Sequence, residues 1–323
     1  MGREPRRGGG WMVITVYPLR APASRRRPPG GRRSRRFPGR SRPMGVLVAL
    51  LVAFGQDSVS MPLAGRKVPY PARTRAEVEK VLRGAPKAAA EPGRLPLLLV
   101  AGPKDHGPQE HDYPVWQKAW GRLMAMAPGV EVDTAWEWPK PGQLAKARLL
   151  VLFQRGDWNA TRAADLDAHL EKGGGVVLLH WAVDGRGQTD AFAERIGLAG
   201  KGGSIGYRHG PVTLNLQADA LDHPILRNMA DFRIHDESYW RLTGREENVR
   251  VLARSREENK DWPQAWTRQS GKGRVVGLIP GHYSWTFDDP LFRVLLLRSM
   301  AWAAGEPVDR LNELVWPGAR LAE

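Results

Sequence analysis

The 323-residue sequence contains no cysteine. That absence excludes disulfides, thiolate-bound metals, iron–sulfur clusters and cysteine nucleophiles together. Long apolar runs are missing too. The best candidate, residues 45–54, falls well short of the roughly 20 residues a helix needs to cross a bilayer, so no transmembrane anchor is expected. No P-loop, no strand-linked G-x-G-x-x-G and no H-E-x-x-H is present, which argues against the usual nucleotide and zinc-protease signatures. The glycines of 200–206 follow no convincing strand. No internal repeat is visible.

Positive charge is plentiful but badly distributed. Of the net +15, residues 1–43 carry thirteen arginines against one glutamate. The remainder holds 36 Lys and Arg against 33 Asp and Glu. A basic nucleic-acid face is therefore not expected on the folded domain. Residues 1–43 are rich in Arg, Pro and Gly and cannot bury a core. Met44 is the preferred start, and residues 44–55 have the length and small residues of a signal peptide. Export to the periplasm or beyond is the resulting expectation. Residues 56–94 read as a linker or arm with a short helix near 75–83, residues 95–308 as the domain, and residues 309–323 as a tail. Nothing in the pattern specifies an oligomer.

From residue 95 the pattern is β-α-β-β-α-β. Strands are expected at 95–101, 130–136, 148–154 and 176–180, with helices at 113–126 and 161–172. The strands are near-continuous apolar runs, the pattern of a mostly parallel sheet covered on both faces. A further buried strand at 274–279 leads into a helix over 291–302, with Asp289 as N-cap, Pro290 in the first turn and Gly305 at the stop. Between them lie a short helix at 191–196 and strands at 211–216, 231–234, 249–253 and, more weakly, 264–268, read as decoration of the sheet.

The chemistry gathers at the carboxyl ends of strands, where open α/β sheets bind ligands. His180 ends Val176-Val177-Leu178-Leu179, and His282 follows the 274–279 strand. An imidazole there suits a general base or a metal ligand. The loop after the first strand holds Lys104, Asp105, His106, Glu110, His111, Asp112 and Tyr113. In Ile234-His235-Asp236-Glu237-Ser238-Tyr239-Trp240, extended backbone puts His235 and Glu237 on one face and Asp236 on the other. Asp222-His223-Pro224 reads as a turn, and His169 as a surface residue on an amphipathic helix. Trp181, Trp240 and Trp285, among thirteen tryptophans, lie near strand ends where a sugar ring could stack.

Taken in order, several segments resemble the ThuA-like (trehalose utilisation) family. They are 176–181 ending in histidine, Asp222-His223-Pro224-Ile225, Asp236-Glu237-Ser238-Tyr239, Gly271-Lys272-Gly273-Arg274-Val275, Gly281-His282 and Trp302-Ala303-Ala304-Gly305. Ser238 stands where a more apolar residue is expected. The resemblance implies a three-layer α/β/α, flavodoxin-like fold of the class I glutamine amidotransferase type. It does not imply that chemistry, since His180 stands where amidotransferases need cysteine. It points to His180, Asp236, Glu237, Tyr239 and His282 as catalytic residues, and to a carbohydrate as the small-molecule partner. His106, His111, Tyr113, Trp181, His209 and Trp285 are the expected substrate-binding set. His180, Glu237 and His282 form a candidate divalent-metal set. The leading expectation is an exported enzyme acting on a glycoside or keto-sugar. The alternative is a sugar-binding domain without catalysis.

Overall fold

The computed structural model describes residues 59–61, 67–86 and 92–322. The expected basic extension and signal segment lie outside them. In chain order the helices are α1 (Arg75–Leu82), α2 (Tyr113–Met124), α3 (Pro141–Lys146), α4 (Ala160–Glu171), α5 (Thr189–Ile196) and α6 (Pro290–Ala303). The strands are β1 (Leu95–Ala101), β2 (Val130–Trp136), β3 (Leu149–Phe153), β4 (Gly175–Leu179), β5 (Gly206–Leu216), β6 (Phe232–Trp240), β7 (Arg250–Glu257), β8 (Lys260–Ser270) and β9 (Gly273–Leu278).

The nine strands form one sheet in the order β2-β1-β3-β4-β9-β8-β7-β5-β6. From β2 to β9 every neighbour is parallel. From β9 to β6 every neighbour is antiparallel. The expectation of a mostly parallel sheet is therefore corrected: the sheet is mixed. The residues explain why. β3 and β4 are buried throughout, as strands covered on both faces must be. β5 alternates exposed and buried positions through Val212 and Leu214, the signature of an antiparallel strand with one wet face. Far from decorating the sheet, these strands extend it.

Helices cover both faces. On one, α2 and α6 bury Trp116, Trp120, Leu295 and Leu296 against Leu97, Leu99 and Val151. On the other, α4 and α5 bury Leu166, Leu170, Phe192 and Ile196 against Leu98, Val100, Leu150 and Val176. The three-layer expectation thus holds. Helix α6 starts as its sequence dictates, the Asp289 carboxylate accepting from the Leu291 and Phe292 amides at 2.9 and 3.3 Å. Two of its arginines are fully buried. Arg293 pairs with Asp288 and Arg298 with Asp309, at 2.9 and 3.2 Å.

Three local expectations change. His169 is not on the surface: it is 4% exposed and its Nε2 lies 3.1 Å from the Gly175 carbonyl. The closing residues do not leave the domain. Leu311, Leu314 and Val315 are buried in the core, and the Arg320 amide donates to the Asp288 carbonyl. The arm is stitched down as well, since the Met61 amide donates to the Asp288 carboxylate at 3.0 Å and Arg73 pairs with Asp289. Among the described residues no helix is long and apolar enough to cross a membrane.

Candidate functional site

Four side chains meet where the two halves of the sheet adjoin. His111 ends the loop between β1 and α2, His180 follows β4, and His282 follows β9. Glu237 comes from within β6. Ligating atoms of all four lie within 4.8 Å of one another, and all four residues are buried. β6 stands four places from β9 in the sheet order, so the antiparallel half must roll back over the strand ends. Gln264 of β8 fastens it there. Its amide donates to the Tyr239 carbonyl at 2.6 Å and accepts from the Tyr239 amide at 3.4 Å.

Backbone conformation aims the histidines. His111 and His180 have φ of 46° and 54°, left-handed values rare for such residues and typical of strained functional positions. Gly281, at φ 141°, lets the chain pass beside His180; a Cβ there would sit 3.3 Å from the His180 Cβ. Asp236 holds the following turn. Its Oδ1 accepts from the Gly281 and His282 amides, each at 3.0 Å, and Thr286 donates to its other oxygen. The His111 amide in turn donates to the His282 carbonyl at 2.9 Å, and the Ser284 amide to the Gln109 carbonyl at 2.9 Å.

Hydrogen-bond partners fix which nitrogens face inward. The Ile279 carbonyl, 2.7 Å from His180 Nδ1, can only accept, so Nδ1 carries the proton and Nε2 presents a lone pair. The Asp105 carboxylate, 2.8 Å from His111 Nδ1, does the same for His111. The two Nε2 atoms then face each other at 2.8 Å. Two lone pairs at that distance need a shared proton or a cation between them. His282 Nδ1 lies 3.0 Å from Glu237 Oε2, yet neither ring nitrogen makes a well-formed hydrogen bond. Glu237 Oε2 is also 3.2 Å from His180 Nε2. Ligands about 2.0–2.2 Å from one ion stand about 3.0–3.5 Å apart, close to these spacings. Three imidazoles and one carboxylate suit a first-row transition metal better than magnesium or calcium.

The protonation states agree with that donor set. Burial drives the His111 imidazolium down to about 3, against the pull of Asp105. Burial lowers His282 as well, against Glu237. Burial pushes Glu237 up, but contacts with His180 and His282 outweigh it and hold the carboxyl below its usual range. Burial, then the Glu237 charge, keeps the Tyr239 hydroxyl protonated; it lies 2.9 Å from His180 Nε2 and 3.2 Å from Glu237 Oε2. At neutral pH these shifts leave His111 and His282 as free bases beside an anion, as metal binding requires.

Above the cluster lies a cavity of 590 Å³ whose wall includes His106, Trp181, Tyr207 and His209 beside His111, Glu237 and Tyr239. His209, opposite Glu237 in the β5–β6 register, brings its Nε2 to 3.4 Å from Glu237 Oε1. The other expected residues stand back. Tyr113 is fully buried with its hydroxyl 2.7 Å from His111 Nδ1. Trp285 is 6% exposed, stacks on Tyr283 and donates to the His235 carbonyl. Asp236 sits beneath the turn it holds. His111, expected on the substrate side, lines the cavity and stands in the donor cluster as well. The sequence does not single out Asp105, which orients His111, or Arg155 on the cavity wall. The dense polar loop is the only signal for Asp105, and Arg155 has only its place after β3.

The fold and the site define an α/β protein with a buried three-histidine, one-carboxylate centre at the floor of a polar cavity. The model of the family described as ThuA, trehalose utilisation, matches residues 99–303, more than half of the chain, and the chain belongs to that family. Among solved structures, a ThuA-like protein from Parabacteroides merdae ATCC 43184 is similar at 23% identity and a TM-score of 0.52, over 66% of this chain and 91% of that one. A ThuA-like protein from Bacteroides uniformis ATCC 8492 is similar at 21% identity and a TM-score of 0.55, over 70% and 99%. No curated protein matches the sequence.

Proposed function

We propose that this ThuA-family chain is an exported enzyme of carbohydrate breakdown. It acts as a hydrolase or lyase on a glycoside or keto-sugar, with a divalent cation held by His111, His180, Glu237 and His282. One observation carries the reading: two imidazole lone pairs aimed at each other across 2.8 Å beside a buried carboxylate, under a cavity with room for a sugar ring. A cation bound there supplies Lewis acidity toward a sugar oxygen. The flat faces of Trp181 and Tyr207 give a ring something to lie on. On a keto-sugar the chemistry is an elimination. A base takes the proton from the carbon next to the carbonyl, the bond to the aglycone oxygen breaks, and that oxygen receives a proton. With the four donors committed, His106 and His209 are the cavity imidazoles left to move those protons. Tyr239, held protonated, donates a hydrogen bond at the floor.

Metal analysis of the purified chain beside its His111→Ala, His180→Ala and His282→Ala variants is the test, followed by assay on keto-glycosides. Near-stoichiometric transition metal in the parent, lost in each variant, and metal-dependent release of the aglycone are expected. A folded, metal-free parent sinks the metal-assisted mechanism. A metal-loaded parent that binds sugars without turning any over would make the chain a binding module. Sequencing of the secreted product tests export; a mature start near Gln56 is expected.

A further inference from the structure

We propose that a second pocket, beside the histidine cavity, is a subsite for a neutral, polyhydroxylated unit of the same substrate. The proposal rests on the carbohydrate reading above and extends it from one sugar ring to two units. The pocket has a volume of 260 Å³ and shares Asp105 and Arg155 with the larger cavity, so the two lie side by side. Pockets that take a whole small ligand run from about 300 to 1,000 Å³. This one is below that range and suits one unit of a ligand seated mainly next door.

Gln154 carries the argument. It follows β3, is only 4% exposed and borders the pocket. Among the described residues its amide makes no hydrogen bond. Its small remaining exposure opens on the pocket, so the amide is available to whatever occupies it. Gly102 leaves Gln154 room: a Cβ there would stand 3.3 Å from both Gln154 Cβ and Oε1. Arg155, exposed at the junction of the two cavities, also makes no hydrogen bond or ion pair among the described residues. The other two arginines of the pocket are committed, Arg162 to the Asp157 carbonyl at 2.6 Å and Arg186 to the Gly156 carbonyl at 2.9 Å.

The charge of the lining selects the ligand class. Asp105, Glu137 and Asp157 face Arg155, Arg162 and Arg186 in equal number, which favours neither an anion nor a cation. An amide, a guanidinium and carboxylates instead offer donors and acceptors side by side. Hydroxyl groups, which both donate and accept, match that set.

Calorimetric titration of the metal-loaded full chain separates the outcomes. The probes are methyl α-D-glucopyranoside, with one ring, and trehalose, with two. Trehalose is expected to bind the parent more tightly than the one-ring sugar. Gln154→Leu should weaken trehalose about fivefold and Arg155→Met about tenfold, the cost of a neutral and a charged hydrogen bond. Metal content should not change, and Gln154→Leu should leave binding of the glucoside unchanged. If Gln154→Leu fails to fold, the near-isosteric Gln154→Met decides between the outcomes. Equal affinity of the parent for both sugars, or equal weakening of both by the Gln154 variant, overturns the subsite and leaves the carbohydrate reading standing. Tighter binding of trehalose 6-phosphate than of trehalose, abolished by Arg155→Met, overturns its neutrality. Failure of the loaded parent to bind either sugar overturns the carbohydrate reading, and this proposal with it.

Discussion

The two halves of the sheet contribute different things to the site. The parallel half offers only strand ends: His111, His180 and His282 all stand in loops that follow β1, β4 and β9. The antiparallel half offers the body of a strand, with Glu237 and Tyr239 in β6 and His209 facing Glu237 from β5. Loops after parallel strands are free to turn a side chain inward, and two of the histidines do so through left-handed backbone. A strand has no such freedom. Its carboxylate arrives only if the whole antiparallel half curls into place. The parallel half therefore sets the nitrogen donors one by one, and the antiparallel half closes the site as a unit.

The largest expected effect breaks the site from either side. His180→Ala and Glu237→Gln should each lower metal affinity by more than about 100-fold, beyond the 10–100-fold typical of outer partners. Competition with a chromophoric chelator measures it; retention of affinity in Glu237→Gln would mean the antiparallel half is not part of the centre. Asp105→Leu should fall within about 10–100-fold, because it removes the acceptor that orients His111 and leaves all four donors present. Gln264→Leu tests the closure itself. It removes the two bonds to Tyr239 and should cost about 1–3 kcal/mol of stability, with metal affinity falling alongside in chelator titrations. A loss of stability with unchanged affinity would show that β6 stays in place without that fastening.

The smallest effect concerns a histidine outside the site. His223 is held down to about 4 by burial, then by the Arg250 charge, and its Nδ1 accepts from the Ile225 amide at 3.3 Å. The unfolded chain protonates it near its ordinary value of about 6.5. Between those values the unfolded state binds more proton, so stability falls as pH drops from 6.5 toward 4. One such group gives a slope of at most about 1.4 kcal/mol per pH unit. Denaturant titrations across that window should show it, and His223→Gln should flatten it. An unchanged slope in the variant would assign the acid sensitivity to other groups, the site's own histidines foremost.

The same comparison explains how much is legible in the sequence. Most of the parallel half is readable because strands covered on both faces are unbroken apolar runs; β1 stands where its run puts it, and the mostly exposed edge strand β2 matches its expected bounds without such a run. His180 and His282 are readable for the same reason, each marking the end of such a run. β5 reads short because its exposed positions look like loop, and β6 because its second half is largely buried but polar, with His235, Asp236, Glu237 and Ser238 in sequence. Gly210 and Pro211 within β5 deepen that impression. The roll that brings Glu237 to His282 depends on contacts such as Gln264 with Tyr239, which no local pattern encodes. His111 is visible in its loop, but spacing does not say which of His106 and His111 turns inward. His169 looks like a surface residue because it shares a helix with polar neighbours. It sits instead in the last turn of α4, packed over Gly174, where a Cβ would come within 2.2 Å of its Nε2.

Two of the bonds between the loop carrying His111 and the turn carrying His282 run from main chain to main chain, and the Ser284 hydroxyl of the turn adds others, to the Gln109 carbonyl and the Asp112 carboxylate. Peptide groups are the same whatever side chain they bear. Evolution can therefore rewrite the residues between Gly107 and His111 and still find the imidazole where it was, so the rim of the cavity is free to drift toward new substrates while its floor stays fixed.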